Sequence, residues 1–326
     1  MICFTSEIRA NCPHELAKKF GKSDSGAQRY RCLDCGKTWV DSTRVLDGMR
    51  LPLDKAEEII RFTMEGMGIR ATCRMANVSK GTVLDLLTLI GTRCKRFSES
   101  TIVDVPVKDV QADELWSFVY CKDRTRQQLS LPKAVTGDQY CFVGTERHSR
   151  FVLAWHLGER TTPEGWRFVK KLGKACWTSP YQITTDGWMP YRHLIPNQLR
   201  HVDYALFMKI YRNSQGEGRY SPGSIIEIKT KMVSGNPDPE RMCTSHVERG
   251  NLSIRMGLRR FTRLTNAFSR KWENHEAMLG LYFAHWNWTQ FHGTLKTTPA
   301  VAAGVANHQW TVRELIERTS SYAEAA

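Results

Sequence analysis

Long apolar runs are absent from this sequence, and no stretch approaches the roughly 20 residues that a membrane-spanning helix needs. Residues 1–13 have neither a basic region nor a long apolar core, so we expect no signal peptide and no membrane partner. The ten cysteines mostly show no regular spacing. A chain of 326 residues does not need disulfides for stability, so we expect a reducing, cytoplasmic compartment with mostly buried thiols.

Acidic residues are scarce beside basic ones. The chain has 33 Asp and Glu against 47 Lys and Arg, which gives a formal net charge of +14. This imbalance favours a polyanionic partner, most often nucleic acid, although some proteins are basic without binding one. ATP is not expected, because the sequence FGKS at 20–23 lacks the first glycine of a phosphate-binding loop.

The chain divides into segments of different character and contains no internal repeat. The first segment is short, basic and cysteine-bearing, the second has helical periodicity, and the third alternates strand-like and helix-like stretches. A hydrophobic content of 41% is enough for a packed core. The predicted domains are a small ribbon-like module at 1–46, a helical domain at 50–98, an α/β domain at 106–300 and a C-terminal tail at 301–326.

The first segment contains a candidate zinc site. Cys32 and Cys35 form a C-x-x-C pair followed by glycine, which is a knuckle typical of zinc ribbons. Upstream, Cys12 begins the sequence Cys-Pro-His-Glu, where a full ribbon would have a second C-x-x-C pair. Either His14 or Cys3 can supply the missing ligand. The alternative is a ribbon that has lost its metal and keeps its cysteines as plain thiols.

The second segment has the pattern of three helices, at about 53–65, 69–76 and 80–95. Ser79 is a favourable N-cap for the third helix. Helix, tight turn and capped helix are typical of a helix-turn-helix, whose last helix enters a DNA groove, but small bundles without DNA share the pattern. With the basic residues beside the cysteine knuckle, the candidate DNA-binding residues here are Arg29, Arg31, Ser79, Lys80 and Thr82.

The third segment predicts a mixed α/β sheet with helices on both faces. Strands are expected at 110–120, on both sides of a hairpin turn near 148–150, before Asp186 and at 200–206. Helices are expected at about 162–176, 245–262 and 272–287, and a polar Gly/Pro-rich excursion at about 213–240.

Two aspartates in this segment are candidate metal ligands. Asp113 lies on the more polar face of an otherwise apolar strand, and Asp186 lies where a strand ends before a glycine. Carboxylate oxygens are the ligands that Mg²⁺ prefers, and a pair of such ions can drive phosphoryl transfer. The alternatives are an ion-paired strand aspartate and an Asp-Gly turn. Asp109 and Asp203 are reserve candidates.

Glu248 is the candidate third carboxylate. It lies in the first turn of a predicted helix that continues with Asn251, Arg255 and Arg259, which suit contact with a DNA backbone. The alternative is structural, because Ser245-x-x-Glu248 has the spacing of a capping box.

The most distinctive stretches of the chain are ADELWSFVY, TTDGW and SHVERGNLSIRMGLRRFTRLTNAFSRKWENH. With GAQRYRCLDCGKTW, MGIRATCRMANVSKGTV and WNWTQFHGTLKTTPA they extend over nearly all of the chain. Together they resemble transposases of the insertion sequence 1 family, within the class that has an Asp-Asp-Glu site on a ribonuclease H-like fold. Carried over by position, the three acids fall on Asp113, Asp186 and Glu248. The Cys12-Pro-His-Glu sequence departs from the family-like Cys-Pro-x-Cys. This departure affects the expected zinc ligands and not the three catalytic acids.

The resemblance implies a ribonuclease H-like mixed sheet preceded by a zinc-ribbon-like module and a helix-turn-helix. It implies Mg²⁺-dependent (or Mn²⁺-dependent) DNA cleavage and strand transfer at the terminal inverted repeats of an insertion sequence. The expected partners are double-stranded DNA, on the nucleoid, and further copies of the chain, because paired element ends require a homo-oligomer. The alternatives are a transposase-derived transcriptional regulator without catalysis, and a nuclease that does not join strands.

Overall fold

The computed structural model describes residues 12, 16–22, 28–40, 45–46, 49–176, 180–199, 201–211, 225–262 and 265–322. The first part of the chain forms a three-stranded antiparallel sheet in the order β1-β2-β3. Its strands are β1 (Ala17–Lys22), β2 (Gln28–Cys32) and β3 (Thr38–Val40).

Three helices follow at the predicted positions: α1 (Leu53–Met64), α2 (Ile69–Ala76) and α3 (Lys80–Thr101). Asn77 ends α2 in the left-handed conformation, which short polar residues tolerate. The Ser79 hydroxyl then accepts a hydrogen bond from the Thr82 amide at 3.1 Å and caps α3 as the sequence predicts. The α3 helix continues six residues beyond the expected end at 95, to Thr101.

A six-stranded mixed sheet forms the centre of the structure, in the order β6-β5-β4-β7-β8-β9. The central strand β4 pairs antiparallel with β5 and parallel with β7. Beyond these, β6 pairs antiparallel with β5, β8 pairs parallel with β7, and β9 pairs antiparallel with β8 at the edge. The strands are β4 (Asp109–Val119), β5 (Gly137–Glu146), β6 (Val152–Gly158), β7 (Tyr181–Thr185), β8 (Val202–Tyr211) and β9 (Ile225–Ser234).

Helices cover both faces of this sheet, as expected. On one face, Phe168 of a long helix packs against Phe142 of β5. On the other face, the backbone amide of Val247 donates to the Gln111 side chain of β4. The remaining helices are α4 (Asp123–Gln128), α5 (Thr162–Ala175), α6 (Tyr191–Gln198), α7 (Ser245–Gly257), α8 (Trp272–Ala284), α9 (Pro299–Ala302) and α10 (Val312–Thr319).

One cluster of buried apolar side chains connects α1 and α3 with the sheet and with the last helices. The α3 and α8 helices approach so closely that a Cβ added at Gly91 would lie 2.0 Å from the Ala277 carbonyl oxygen. The expected C-terminal tail contains α10, whose Leu315 and Ile316 are fully buried. Arg313 of the same helix pairs with Glu57 of α1 at 3.2 Å.

Two further predicted boundaries, besides the end of α3, are wrong. The β9 strand lies within the Gly/Pro-rich excursion that was expected to be irregular. The helix expected to end at 262 ends at Gly257, and a short 3-10 turn follows at Arg259–Phe261. The last long helix begins at Trp272 as expected, and its α-helical part ends at Ala284; a π-helical turn, His285–Thr289, continues it past the expected end at 287. Within the described residues, we find no helix with the length and apolar character needed to cross a membrane.

Candidate active site

The sheet brings the two predicted aspartates side by side. The parallel register pairs Ala112 of β4 with Thr185 of β7, so that Asp113 and Asp186 are the next residues on neighbouring strands. Both line a pocket of about 810 Å³, and Glu248 from the first turn of α7 lines the same pocket. The three predicted acids therefore converge on one cavity, which lies at the carboxyl end of β7 and beside the middle of β4.

Asp113 is held in a fixed orientation by two hydrogen bonds. Its Oδ2 accepts from Nδ2 of Asn251 at 2.8 Å, and its Oδ1 accepts from the backbone amide of Glu114 at 2.8 Å. Burial, followed by the nearby charges of Asp186 and Glu248, raises the pKa of Asp113 to about 6. A divalent cation would offset this repulsion, because it brings positive charge among oxygens that otherwise repel one another.

Asp186 follows β7 directly and forms the expected turn with Gly187. Its Oδ1 accepts a hydrogen bond from the backbone amide of Trp188 at 3.0 Å. Its Oδ2 lies 3.6 Å from an Arg160 nitrogen, and the side chain is 36% exposed in the pocket. The turn and the site are thus compatible, because one oxygen fixes the turn while the side chain still faces the cavity.

Glu114 is a site residue that the sequence analysis missed. Oxygens of Asp113, Glu114 and Asp186 lie within 4.8 Å of one another, a group of donors that can hold a metal ion. The Glu114 side chain is 2% exposed, and its Oε2 accepts from Arg160 at 3.0 Å. Burial and the charge of Asp186 raise its pKa to about 8. Neighbouring residues of a strand point to opposite faces, so the sequence did not predict that Glu114 would lie close to Asp113 and Asp186. The feature that could have indicated it is the presence of a second acid in an apolar strand.

Glu248 lines the pocket outside this group of three. Lys209 Nζ donates to its Oε1 at 2.7 Å, and the Thr244 hydroxyl donates to the same oxygen at 2.6 Å. The capping-box alternative is not formed, because the N-cap is Thr244 rather than Ser245 and it makes no side-chain cap. Glu248 is therefore directed to the cavity, where the Lys209 side chain of β8 holds it.

The donors of this pocket suit a hard cation. Among its described lining residues, carboxylates come from Asp113, Glu114, Asp186 and Glu248. Glu114 also faces the buried hydroxyl of Tyr191, which donates to its carboxyl group. A donor set made of carboxyl oxygens matches Mg²⁺ or Mn²⁺ better than metals that prefer nitrogen or sulfur.

The predicted DNA-contacting residues of α7 separate into two groups. Asn251 and Arg255 line the carboxylate pocket. Arg259 lies beyond the end of α7, where its Cγ would be 3.8 Å from a Cβ added at Gly68, in the turn between α1 and α2.

The reserve aspartates have structural partners instead. Asp109 pairs with Arg241 at 2.5 Å and with His148 at 2.9 Å. Asp203 accepts from the Asn236 backbone amide at 2.7 Å, next to the turn that ends β9. Neither residue lines the carboxylate pocket in the described part of the chain.

Three cysteines form a second candidate metal site. The sulfur atoms of Cys12, Cys32 and Cys35 lie within 4.8 Å of one another, and those of Cys12 and Cys32 are 3.7 Å apart. Tetrahedral zinc with Zn–S bonds of about 2.3 Å separates its sulfurs by about 3.8 Å, whereas a disulfide needs about 2 Å. The thiol arrangement therefore fits zinc. His14 and Cys3, the two candidates for the missing ligand, lie outside the described residues.

The predicted DNA-binding residues near the N-terminus lie on two exposed surfaces. The guanidinium groups of Arg29 and Arg31 lie 5.7 and 5.3 Å from the ring centroid of Phe20. Ser79 and Lys80 are exposed at the start of α3. Ser79 and Thr82 also bond to each other through their hydroxyls at 2.9 Å, so their first role is to cap the helix.

Comparison of the chain with protein-family models gives no match.

Proposed function

We propose that the protein is a DNA transposase with a ribonuclease H-like core, which cleaves and joins DNA strands in a Mg²⁺-dependent reaction. The observation that carries this proposal is the convergence of Asp113, Asp186 and Glu248 on one pocket. An antiparallel hairpin followed across the sheet by two parallel strands is compatible with the ribonuclease H-like arrangement that the resemblance implies. The family-like motifs along nearly all of the chain support the class of reaction.

The side chains of the pocket have distinct roles in this proposal. Asp113, Asp186 and Glu248 supply oxygens for the cation, and Asn251 keeps Asp113 oriented through its hydrogen bond. Mg²⁺ or Mn²⁺, when bound, supplies activation of the attacking oxygen and stabilisation of the leaving oxygen. Arg255, which also lines the pocket, attracts the phosphate backbone and positions it beside the carboxylates.

The N-terminal segments bind the ends of the element in this proposal. Lys80 and the capped start of α3 face a DNA groove, and the cysteine module with Arg29 and Arg31 contacts phosphates. The net charge of +14 supports double-stranded DNA as the partner. Joining two element ends requires at least a dimer, so the active form is a homo-oligomer on the DNA of the cytoplasmic nucleoid.

Strand cleavage and joining test the proposal directly. Labelled DNA from either side of the gene, which carries the element ends, is incubated with wild type, Asp186→Asn and Asp203→Asn in Mg²⁺ or EDTA. Asp203→Asn is the matched control, because it changes an aspartate of the same sheet that does not line the pocket. We expect Mg²⁺-dependent 3′ ends that join to target DNA for wild type and Asp203→Asn alone.

The other outcomes separate the alternatives. Equal DNA binding without cleavage by all three proteins would support a regulator and overturn the proposal. Cleavage without joining would support a nuclease.

A further inference from the structure

A second pocket, of about 530 Å³, lies beside the carboxylate pocket on the same face of the sheet. It is bounded by β5, α7, α8 and the segment that follows the π-helical turn. Asn251 lines both pockets. This residue donates through Nδ2 to Asp113, so the wall between the cavities includes a side chain that contacts the candidate site.

The second pocket has an aromatic lining. Tyr282 and Trp286 lie with their rings 6.4 Å apart and 23° from parallel, and Trp286 meets His292 edge-on at 6.0 Å. The Trp286 ring is fixed, because its Nε1 donates to the Arg150 carbonyl at 3.1 Å. Phe291 lies at the rim and is 49% exposed. Rings that are preorganised but not fully covered offer a planar ligand a surface on which to stack.

The charge of this pocket is positive. Its positive charge comes from Arg150 and Arg249, and none of its described lining residues is a carboxylate. A ligand that is planar, aromatic and attached to an anion matches this combination of rings and cations.

We propose that this pocket binds one unpaired nucleotide of the DNA strand whose phosphodiester lies in the carboxylate pocket. The base stacks against Phe291 and Trp286, and its phosphate faces Arg150 and Arg249. The shared wall at Asn251 explains how one strand reaches both cavities. The inference rests on the proposed function, since it requires DNA at the carboxylates, and it adds that a base leaves the duplex stack during the reaction.

Binding of two short duplexes tests the inference. One duplex is fully paired, and the other carries a single unpaired base in its middle. Affinities are measured by fluorescence anisotropy with Ca²⁺ present to neutralise the carboxylates, for wild type, Phe291→Ala and Trp166→Ala. Trp166 is the matched control, because it is 45% exposed and carries Lys170 over its ring at 5.2 Å, but it does not line the pocket.

We expect wild type and Trp166→Ala to prefer the unpaired base roughly tenfold, from base–aromatic stacking. Phe291→Ala should lose this preference while it still binds the paired duplex. Photocrosslinking from a bromodeoxyuridine at the unpaired position should label the peptide that contains Trp286 and Phe291.

Three results would overturn the inference while leaving the proposed function standing: no preference in wild type, a preference retained by Phe291→Ala, or labelling of another segment. Failure of wild type to bind either duplex would overturn the proposed function and the inference together.

Discussion

The ammonium group of Lys209 contacts both carboxylate oxygens of Glu248, with Nζ 2.7 Å from Oε1. The Lys209 side chain is 18% exposed, so this pair is partly shielded from solvent. Thr244 donates to the same carboxylate at 2.6 Å and fixes its direction. Lys209 therefore holds both of the oxygens that Glu248 would offer to a metal ion.

Replacing this lysine should strengthen metal binding. In Lys209→Gln the ammonium group that competes for Glu248 is absent. The repulsion between a unit charge near a protein surface and a metal ion a few ångströms away is large enough to change the metal affinity by roughly tenfold. Titration with Mn²⁺ in the absence of DNA, with the free ion detected by electron paramagnetic resonance, measures this change in metal affinity. Lys231→Gln, an exposed lysine of neighbouring β9, is the control and should bind as wild type does. Unchanged or weaker binding in Lys209→Gln would show that Lys209 does not compete.

The contact between α3 and α8 depends on glycine. A Cβ at Gly91 would lie 2.0 Å from the Ala277 carbonyl oxygen, so Gly91→Ala must push the helices apart. We expect a loss of about 1–3 kcal/mol in the free energy of unfolding, which denaturant titration measures. Gly81→Ala is the control in the same helix, since its Cβ would meet only Ser79 Oγ at 3.6 Å. That variant should be neutral or more stable by up to about 1 kcal/mol. Equal effects would argue against the close approach.

Much of the fold could be predicted because local patterns determine it. Ser79 caps α3 through its side chain, and the polar stop at Asn77 ends the helix before it. The apolar strand around Asp113 and the strand before Asp186 became neighbours because parallel strands in an α/β sheet pair in this way. Their pairing in register brought the two aspartates together.

The remainder depended on contacts between distant residues, which local patterns do not report. The pairing of β9 with β8 overrode a Gly/Pro-rich flank that suggested an irregular segment. Glu114 joined the site because Arg160, far along the chain, stabilises it. The aromatic pocket beside Asn251 is assembled from β5, α7 and the segment after α8 and left no single motif.

The cysteine cluster predicts bound zinc. Protein purified under reducing conditions should contain about one equivalent of zinc by mass spectrometry, and Cys35→Ser should lose it, because thiolates hold the metal. Cys73→Ser is the control: Cys73 lies on α2, outside the cluster, and its loss should leave the zinc in place. Zinc-free wild type with intact folding would instead indicate a ribbon that has lost its metal.

His275 predicts a loss of stability in acid. The side chain is fully buried, with Nε2 3.0 Å from Ser117 Oγ and Nδ1 2.9 Å from Ser269 Oγ. Burial, followed by the charge of Arg260, lowers the pKa of His275 from 6.5 to about 3.

In the unfolded chain His275 therefore binds a proton below pH 6.5, whereas in the folded chain it binds one only near pH 3. The contribution of His275 to stability is complete above pH 6.5 and declines as the pH falls, by up to about 1.4 kcal/mol per pH unit. His275→Gln, which keeps a donor and an acceptor, should reduce the slope of unfolding free energy against pH by this amount between pH 4 and 6. His193→Gln, at an exposed position of α6, should keep the wild-type slope. If His275→Gln also keeps that slope, the acid sensitivity must come from other groups.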